Sequence, residues 1–271
     1  MKINLEPTGE RVIEDVYMSS LGAYTIYAMH GASYRFVEAL CTGKRILDLG
    51  CGSGYGSYRI AHHAEKVQAV DVSADAVSYA RHRYPHPNLT FSQISPQAPL
   101  PFDDESFDVV LSFQVIEHVT DEDAYLLQAH RVLKPGGTLV VITPDRQHRL
   151  LPGQQPWNRW HIREYSQTQL NLRIARHFSI KRSLRMGAPW PVSSTEIRRY
   201  RRTKWLTLPV TLPFIPNRLR VTALNAIHAI FDKKHPAVAP AGIDYGFDET
   251  AFIIDSDPPY PMNLVVVAER G

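Results

Sequence analysis

KRILDLGCGSGYG, from Lys44 to Gly56, decides how the rest of this 271-residue chain is read. Ile46, Leu47 and Leu49 form the short apolar run of a buried parallel strand, which breaks into glycines at alternate positions: Gly50, Gly52, Gly54 and Gly56. Ser57 to His63 then reads as a helix. A strand, a glycine turn and a helix N-terminus let backbone approach a ligand closely, because no Cβ stands in the way. The G-x-G-x-x-G spacing of a dinucleotide site is absent: its third glycine falls on Tyr55 counted from Gly50, and on Ser57 counted from Gly52. Two carboxylates remain, Asp48 ahead of the turn and Asp71 at the end of a second strand, Lys66 to Asp71. An Asp at a strand's carboxyl end can accept both hydroxyls of a ribose, and strand ends beside the first crossover are where doubly wound sheets bind nucleotides.

Working outward, Leu100 to Phe107 (LPFDDESF) leads into Asp108 to Ser112, then FQVIEHV at Phe113 to Val119, then RVLKPGGTLVVITPD at Arg131 to Asp145. Together with D-x-G-x-G-x-G at Asp48 to Gly54, these ordered motifs resemble the class I S-adenosylmethionine (SAM) dependent methyltransferases. The resemblance implies a doubly wound, seven-stranded Rossmann-like α/β sheet, with SAM as cofactor and S-adenosylhomocysteine as its product. It implies cofactor contacts at Asp48, Gly50, Gly52, Gly54, Tyr55, Asp71, Val72, Ser95 and Gln114. After the third strand, Leu89 to Ile94, the family often places an Asp against the adenine amine. Here the chain reads QISPQ with Ser95 nearest that place, so backbone or a hydroxyl would take over the contact.

The central fourth strand, Phe107 to Phe113, ends in Gln114, Val115, Ile116, Glu117 and His118. Its end would face the cofactor's sulfonium, so Glu117 and His118 either act on the acceptor or orient the loop and the cofactor's methionine end. Beyond the fifth strand, Thr138 to Thr143, the stretch WNRWHIREY at Trp157 to Tyr165 resembles the N-P-F-H-x-x-E-[YF] element of a subgroup associated with polysaccharide and glycan biosynthesis. Asn158, His161, Glu164 and Tyr165 match it. The resemblance implies a catalytic set of His161, His118 and Glu117, and substrate contacts at Asn158, Glu164 and Tyr165; the basic run that follows adds Arg198 and Arg201 as candidate contacts for an anionic acceptor. An imidazole with a pKa near ~6.5 suits His161 to taking a proton from an attacking hydroxyl; the competing role is loop packing and helix capping. Glu117, His118 and His161 would meet at a metal only if the fold assembled them. No H-E-x-x-H helix or Cys/His spacing is present, and the sequence reading assigns no metal.

The N-terminal stretch TGERVIEDVY resembles the T-G-E-R-x-x-P-E opening of the same subgroup. Thr8, Gly9, Glu10 and Arg11 match, and Ile13 or Glu14 takes the Pro position depending on alignment. Residues 1–43 thus read as a helical segment that covers the cofactor site or packs on the sheet edge. Residues 44–186 and 259–271 read as the core, with strand six at Phe178 to Met186 and strand seven at Asn263 to Glu269. Residues 187–258 are longer than an ordinary loop and read as an inserted, basic, largely helical cap.

Composition sets the partners. Hydrophobic residues at 44% and charged residues at 21% are ordinary for a folded soluble protein. No apolar run approaches the roughly 20 residues that cross a bilayer, and MKINLEPTGER lacks a signal-peptide core. Two cysteines, Cys41 and Cys51, make no disulfide framework, which fits a reducing cytoplasm. The net charge of +3 conceals an asymmetry: residues 145–235 hold 18 Lys/Arg against 4 Asp/Glu, a balance of +14, and the remainder, 12 against 23, carries −11. The basic half is either a solvated face or a surface for phosphate, a sugar nucleotide or an anionic membrane. No RNA-binding signature accompanies it, which ranks nucleic acid last. The resemblance implies O-methylation of a glycan hydroxyl, with the protein cytoplasmic or at the membrane's inner face. A lipid or quinone-like acceptor is the second expectation, and a SAM-binding regulator without transfer activity the third.

Overall fold

The computed structural model describes residues 17–18, 20–231 and 243–271. Thr8, Gly9, Glu10, Arg11, Ile13 and Glu14 lie outside the described residues. Helix α1 (Leu21–Cys41) starts at Ser20, whose hydroxyl accepts the Ala23 N–H, and turns Ala28, Met29, Ala32, Tyr34, Val37 and Cys41 inward. Strands and helices then alternate: β1 (Arg45–Leu49), α2 (Tyr55–Ala61), β2 (Lys66–Asp71), α3 (Ala74–Arg83), β3 (Leu89–Gln93), β4 (Phe107–Phe113), α4 (Glu122–Val132) and β5 (Leu133–Pro144). The one-turn α5 (Arg146–Arg149), α6 (Gln167–Ile174), β6 (Ser179–Gly187), α7 (Trp190–Leu206), α8 (Asn217–Phe231), β7 (Ile253–Asp255) and β8 (Pro261–Glu269) complete the chain. Helix starts are marked by side-chain caps: Ser73 accepts from Ala76, Asp121 from Ala124, and Ser166 forms a reciprocal capping box with Gln169.

The strands form one sheet in the order β3-β2-β1-β4-β5-β8-β6-β7. The first five are parallel; β8 runs antiparallel to both β5 and β6, and β7 antiparallel to β6. The expected seven strands are therefore eight. The chain returning from α8 lays Ile253–Asp255 along Gly187–Arg185, an extended β-branched pair that covers an otherwise open edge. Alternate strand residues feed two cores. Ile46, Val67, Ala69, Val109, Leu111, Val140 and Val265 pack under α1, α2 and α3, while Leu47, Val70, Val110, Leu139, Val141, Leu264 and Val266 pack under α4 and α6.

The order in which strands are added reverses between β1 and β4, and a crevice at the carboxyl ends of these strands is where such sheets bind ligands. Helices α7 and α8 lie between β6 and β8 in the chain. On α7, Val192, Glu196, Ile197 and Tyr200 are buried, and Arg198, Arg201 and Arg202 are exposed. The segment after α8 straps back over the N-terminal helices: the Tyr24 hydroxyl donates to the Phe247 carbonyl, and Arg59 joins Glu38 to Glu249.

Candidate active site

The glycine turn after β1 is fixed by left-handed backbone at Gly50, Gly52 and Gly54, with φ of 98°, 55° and 87°. Two of these glycines are packed against protein. A Cβ at Gly50 would stand 2.4 Å from the Val115 side chain, and one at Gly54 would stand 2.7 Å from Ala80 and Phe91. Gly52 differs, because a Cβ there would meet nothing within 4 Å; that open side is where a ligand can approach bare backbone. Asp71 fixes the turn, accepting the Gly52 N–H on one oxygen at 2.9 Å and the Ser73 N–H on the other at 2.8 Å. Each oxygen keeps a second lone pair for a ligand hydroxyl.

Asp48 is 1% exposed, and its Oδ2 accepts the Ser57 hydroxyl at 2.6 Å and the Tyr34 hydroxyl at 3.2 Å. Its Oδ1 has no hydrogen-bond partner among the described residues. Burial pushes this carboxyl up to about 6, against the pull of the Ser57 and Tyr34 hydrogen bonds, with a small upward push from Asp71. A buried acceptor beside an open glycine turn fits a ligand that brings an ammonium group, as SAM does. Tyr55 opens α2 and sets its ring edge-on to Tyr34 at 5.6 Å. Val72 is 53% exposed next to Asp71, and its carbonyl accepts from Gln93. Ser95 is exposed and bonded to Gln97, so the structure leaves it a surface hydroxyl at the turn after β3.

At the carboxyl end of β4, Gln114 leaves the strand with φ of 57°, a conformation costly for a residue with a Cβ and one that clusters at functional sites. A 3-10 turn, Ile116–His118, follows. Glu117 is fully buried; its Oε2 accepts the Thr143 hydroxyl at 2.8 Å, and its Oε1 has no partner among the described residues. His118 Nδ1–H donates to the Trp160 carbonyl at 3.0 Å, and its ring stands edge-on to His161 with centroids 4.8 Å apart. The Glu117 carbonyl accepts the Ile162 N–H at 2.9 Å, locking the β4 end to the loop that carries His161.

His161 is 3% exposed, and its Nδ1–H donates to Glu164 Oε1 at 2.9 Å. Arg149 grips both oxygens of Glu164 at 2.9 Å and lies over the rings of Trp157 and Tyr200. Burial alone would raise the Glu164 carboxyl, but the Arg149 charge and the His161 hydrogen bond outweigh it and hold it at about 2. Glu164 is thus a permanent anion that fixes the His161 ring and tautomer. Tyr165, expected at the substrate, turns its ring into the core and its hydroxyl to Glu122 at 2.5 Å. Asn158 braces its own loop, accepting the Trp160 N–H at 3.0 Å. Arg198 and Arg201 stand on the exposed face of α7, Arg198 over the Trp190 ring.

The residues that hold this half together leave no mark in the sequence motifs. Arg220 of α8 is 1% exposed, and its guanidinium donates to the carbonyls of Pro156, Asn158 and His161. Arg149 and Thr143 likewise carry no local sequence signal.

Residues 47–141 match the methyltransferase domain family. A protein of Mycobacterium tuberculosis named a probable S-adenosylmethionine-dependent methyltransferase is 38% identical over 164 residues, covering 60% of this chain and 57% of that relative. A ubiquinone biosynthesis O-methyltransferase of a Bradyrhizobium species is 35% identical over 112 residues, covering 39% of this chain and 42% of the relative. The chain therefore spans about half the length of these curated relatives. A crystal structure of an S-adenosylmethionine-dependent methyltransferase from Mesorhizobium loti shares the fold at a TM-score of 0.55 and 18% identity, over 91% of this chain and all of that one (100%). The ordered motifs and these matches make residues 47–141 similar to the methyltransferase domain family, on the fold that S-adenosylmethionine-dependent methyltransferases use.

Proposed function

We propose that the protein methylates an oxygen, and that its acceptor is a sugar hydroxyl on a bacterial surface polysaccharide, a lipid-linked glycan or a nucleotide sugar. The observation that carries the transfer chemistry is the His161–Glu164–Arg149 chain, which presents a held imidazole beside the β4 end and across the crevice from the glycine turn. SAM, when bound, supplies an electrophilic methyl group on its sulfonium. Gly52 and the carboxylates of Asp48 and Asp71 bind and orient the cofactor. Glu117, His118 and His161 receive the acceptor hydroxyl and manage its proton. Positioning of the two reactants supplies several kcal/mol of the barrier, and proton removal typically adds about 10²- to 10⁴-fold.

The glycan acceptor rests on the match of Asn158, His161, Glu164 and Tyr165 to the subgroup element, and on the basic exposed face at Arg198, Arg201 and Arg202. Trp205, Leu206, Phe214 and Leu219 are exposed apolar residues near these arginines in sequence, a composition that suits a lipid-linked acceptor and contact with the inner face of a membrane. No helix among the described residues is long and apolar enough to cross a membrane. The relative named for ubiquinone biosynthesis favours a second reading, a lipid or quinone-like acceptor.

Purified protein incubated with methyl-labelled SAM and a membrane-containing lysate tests both. Label in the glycan or lipid-linked glycan fraction supports the first, and label in free lipid supports the second. Cofactor binding without label in any fraction points instead to a SAM-binding protein without transfer activity.

A further inference from the structure

Glu117, His118 and His161 each bring one ligand atom to a common point, all within 4.8 Å of one another. We propose that they bind a single divalent transition-metal cation, of the zinc or manganese type, that holds the acceptor oxygen. This deepens the proposed O-methylation and rests on it for what the cation does.

Two observations carry the site. The first is Glu117, a fully buried carboxylate whose Oε1 has no hydrogen-bond partner among the described residues. A buried anion left half-satisfied is costly, and a cation at Oε1 removes that cost. The second is the way each ligand's other polar atom is engaged. Thr143 donates to Glu117 Oε2, His118 Nδ1–H donates to the Trp160 carbonyl, and His161 Nδ1–H donates to Glu164. With both Nδ1 atoms acting as donors, the lone pair each ring offers a cation is on Nε2. Outer partners of this kind fix ligand orientation and tautomer in metal sites, and the pairing of His161 with Glu164 and Arg149 is the most rigid of the three.

Two imidazoles and one carboxylate are a donor set for zinc, manganese or iron that leaves positions open for an external oxygen. Ligand bonds of about 2.0–2.2 Å bring donor atoms to roughly 3.3 Å of one another. The three atoms must therefore draw together, and half-buried His118 is the member with room to move. A cation there lowers the pKa of a bound hydroxyl, so that its proton passes to water while the oxygen stays aimed across the crevice. The sequence reading assigned no metal because the ligands are split between the β4 end and a loop more than forty residues later, a spacing that no local motif describes.

The test uses the full chain, stripped with chelator and titrated calorimetrically with zinc or manganese, with bound metal counted by mass spectrometry. The wild type should bind one equivalent, and Glu117→Gln and His118→Ala should each lose at least tenfold in affinity. If Glu117→Gln fails to fold by circular dichroism, His118→Ala carries the test alone. Absence of binding, or binding that neither variant weakens, overturns the proposal. A parallel SAM titration separates the two readings. SAM binding without metal binding removes the cation and leaves the methyltransferase reading standing. Site-dependent metal binding without SAM binding keeps the metal site and removes that reading; failure of both removes both.

Discussion

The two sides of the proposed site are built by different means. The side proposed for the cofactor is backbone: three left-handed glycines between Asp48 and α2, pinned by Asp71 through two N–H groups. The side proposed for the acceptor is side chain: Glu117, His118 and His161 are held by Thr143, the Trp160 carbonyl, Glu164, Arg149 and Arg220, which come from β5, the loop and short helix beyond it, and α8. A backbone cradle tolerates little change in sequence and serves one cofactor. A side-chain pocket can be rebuilt residue by residue, which is how one fold comes to serve many acceptors.

That contrast is broken most sharply at His161. His161→Ala should lower turnover about 10²- to 10⁴-fold, whether the imidazole takes the proton itself or helps hold a cation that eases its loss. Steady-state methyl transfer to the labelled acceptor measures it; full activity at neutral pH would remove His161 from the chemistry. Arg220→Met sharpens the contrast from α8. It leaves the buried carbonyls of Pro156 and His161 without the guanidinium donor, at about 1–3 kcal/mol each, so a loss of about 3 kcal/mol in denaturant unfolding is expected. Unchanged stability would mean that α8 does not brace the loop.

A smaller effect is expected on the cofactor side. Asp48 ionises at about 6, and only its anion can receive a cationic donor. SAM affinity should therefore hold between pH ~7 and about 6, where the carboxylate and the ligand's ammonium are both charged, and fall by up to about tenfold for each unit below it. A flat profile between pH ~7.5 and ~5 would show that Asp48 does not meet the ligand's charge.

These differences also explain what could be read in advance. The glycine turn, Asp48 and Asp71 were legible because strand, turn and helix are contiguous and each glycine answers a local backbone demand. The parallel strands were legible from apolar runs, and β2 and β4 begin and end where those runs do. β7 was not, because a three-residue strand is too short to show a period and forms only by pairing with β6. His161 and Glu164 were found through a motif, but the arginine that grips Glu164 and the one that pins the His161 carbonyl leave no local signal. Arg220 meets His161 across 59 residues. Tyr165 shows the opposite failure: it matched a motif, yet its hydroxyl goes to Glu122 and its ring to the core.

The central claim is that cofactor binding and acceptor chemistry lie on separable sides of one crevice. Calorimetric titration of SAM into the wild type, Asp71→Ala and His161→Ala tests it without knowledge of the acceptor. Asp71→Ala should bind SAM about tenfold to a hundredfold more weakly, the loss expected for charged hydrogen bonds, and His161→Ala should match the wild type within about twofold. Equal weakening in both variants, or full affinity in Asp71→Ala, would contradict the account.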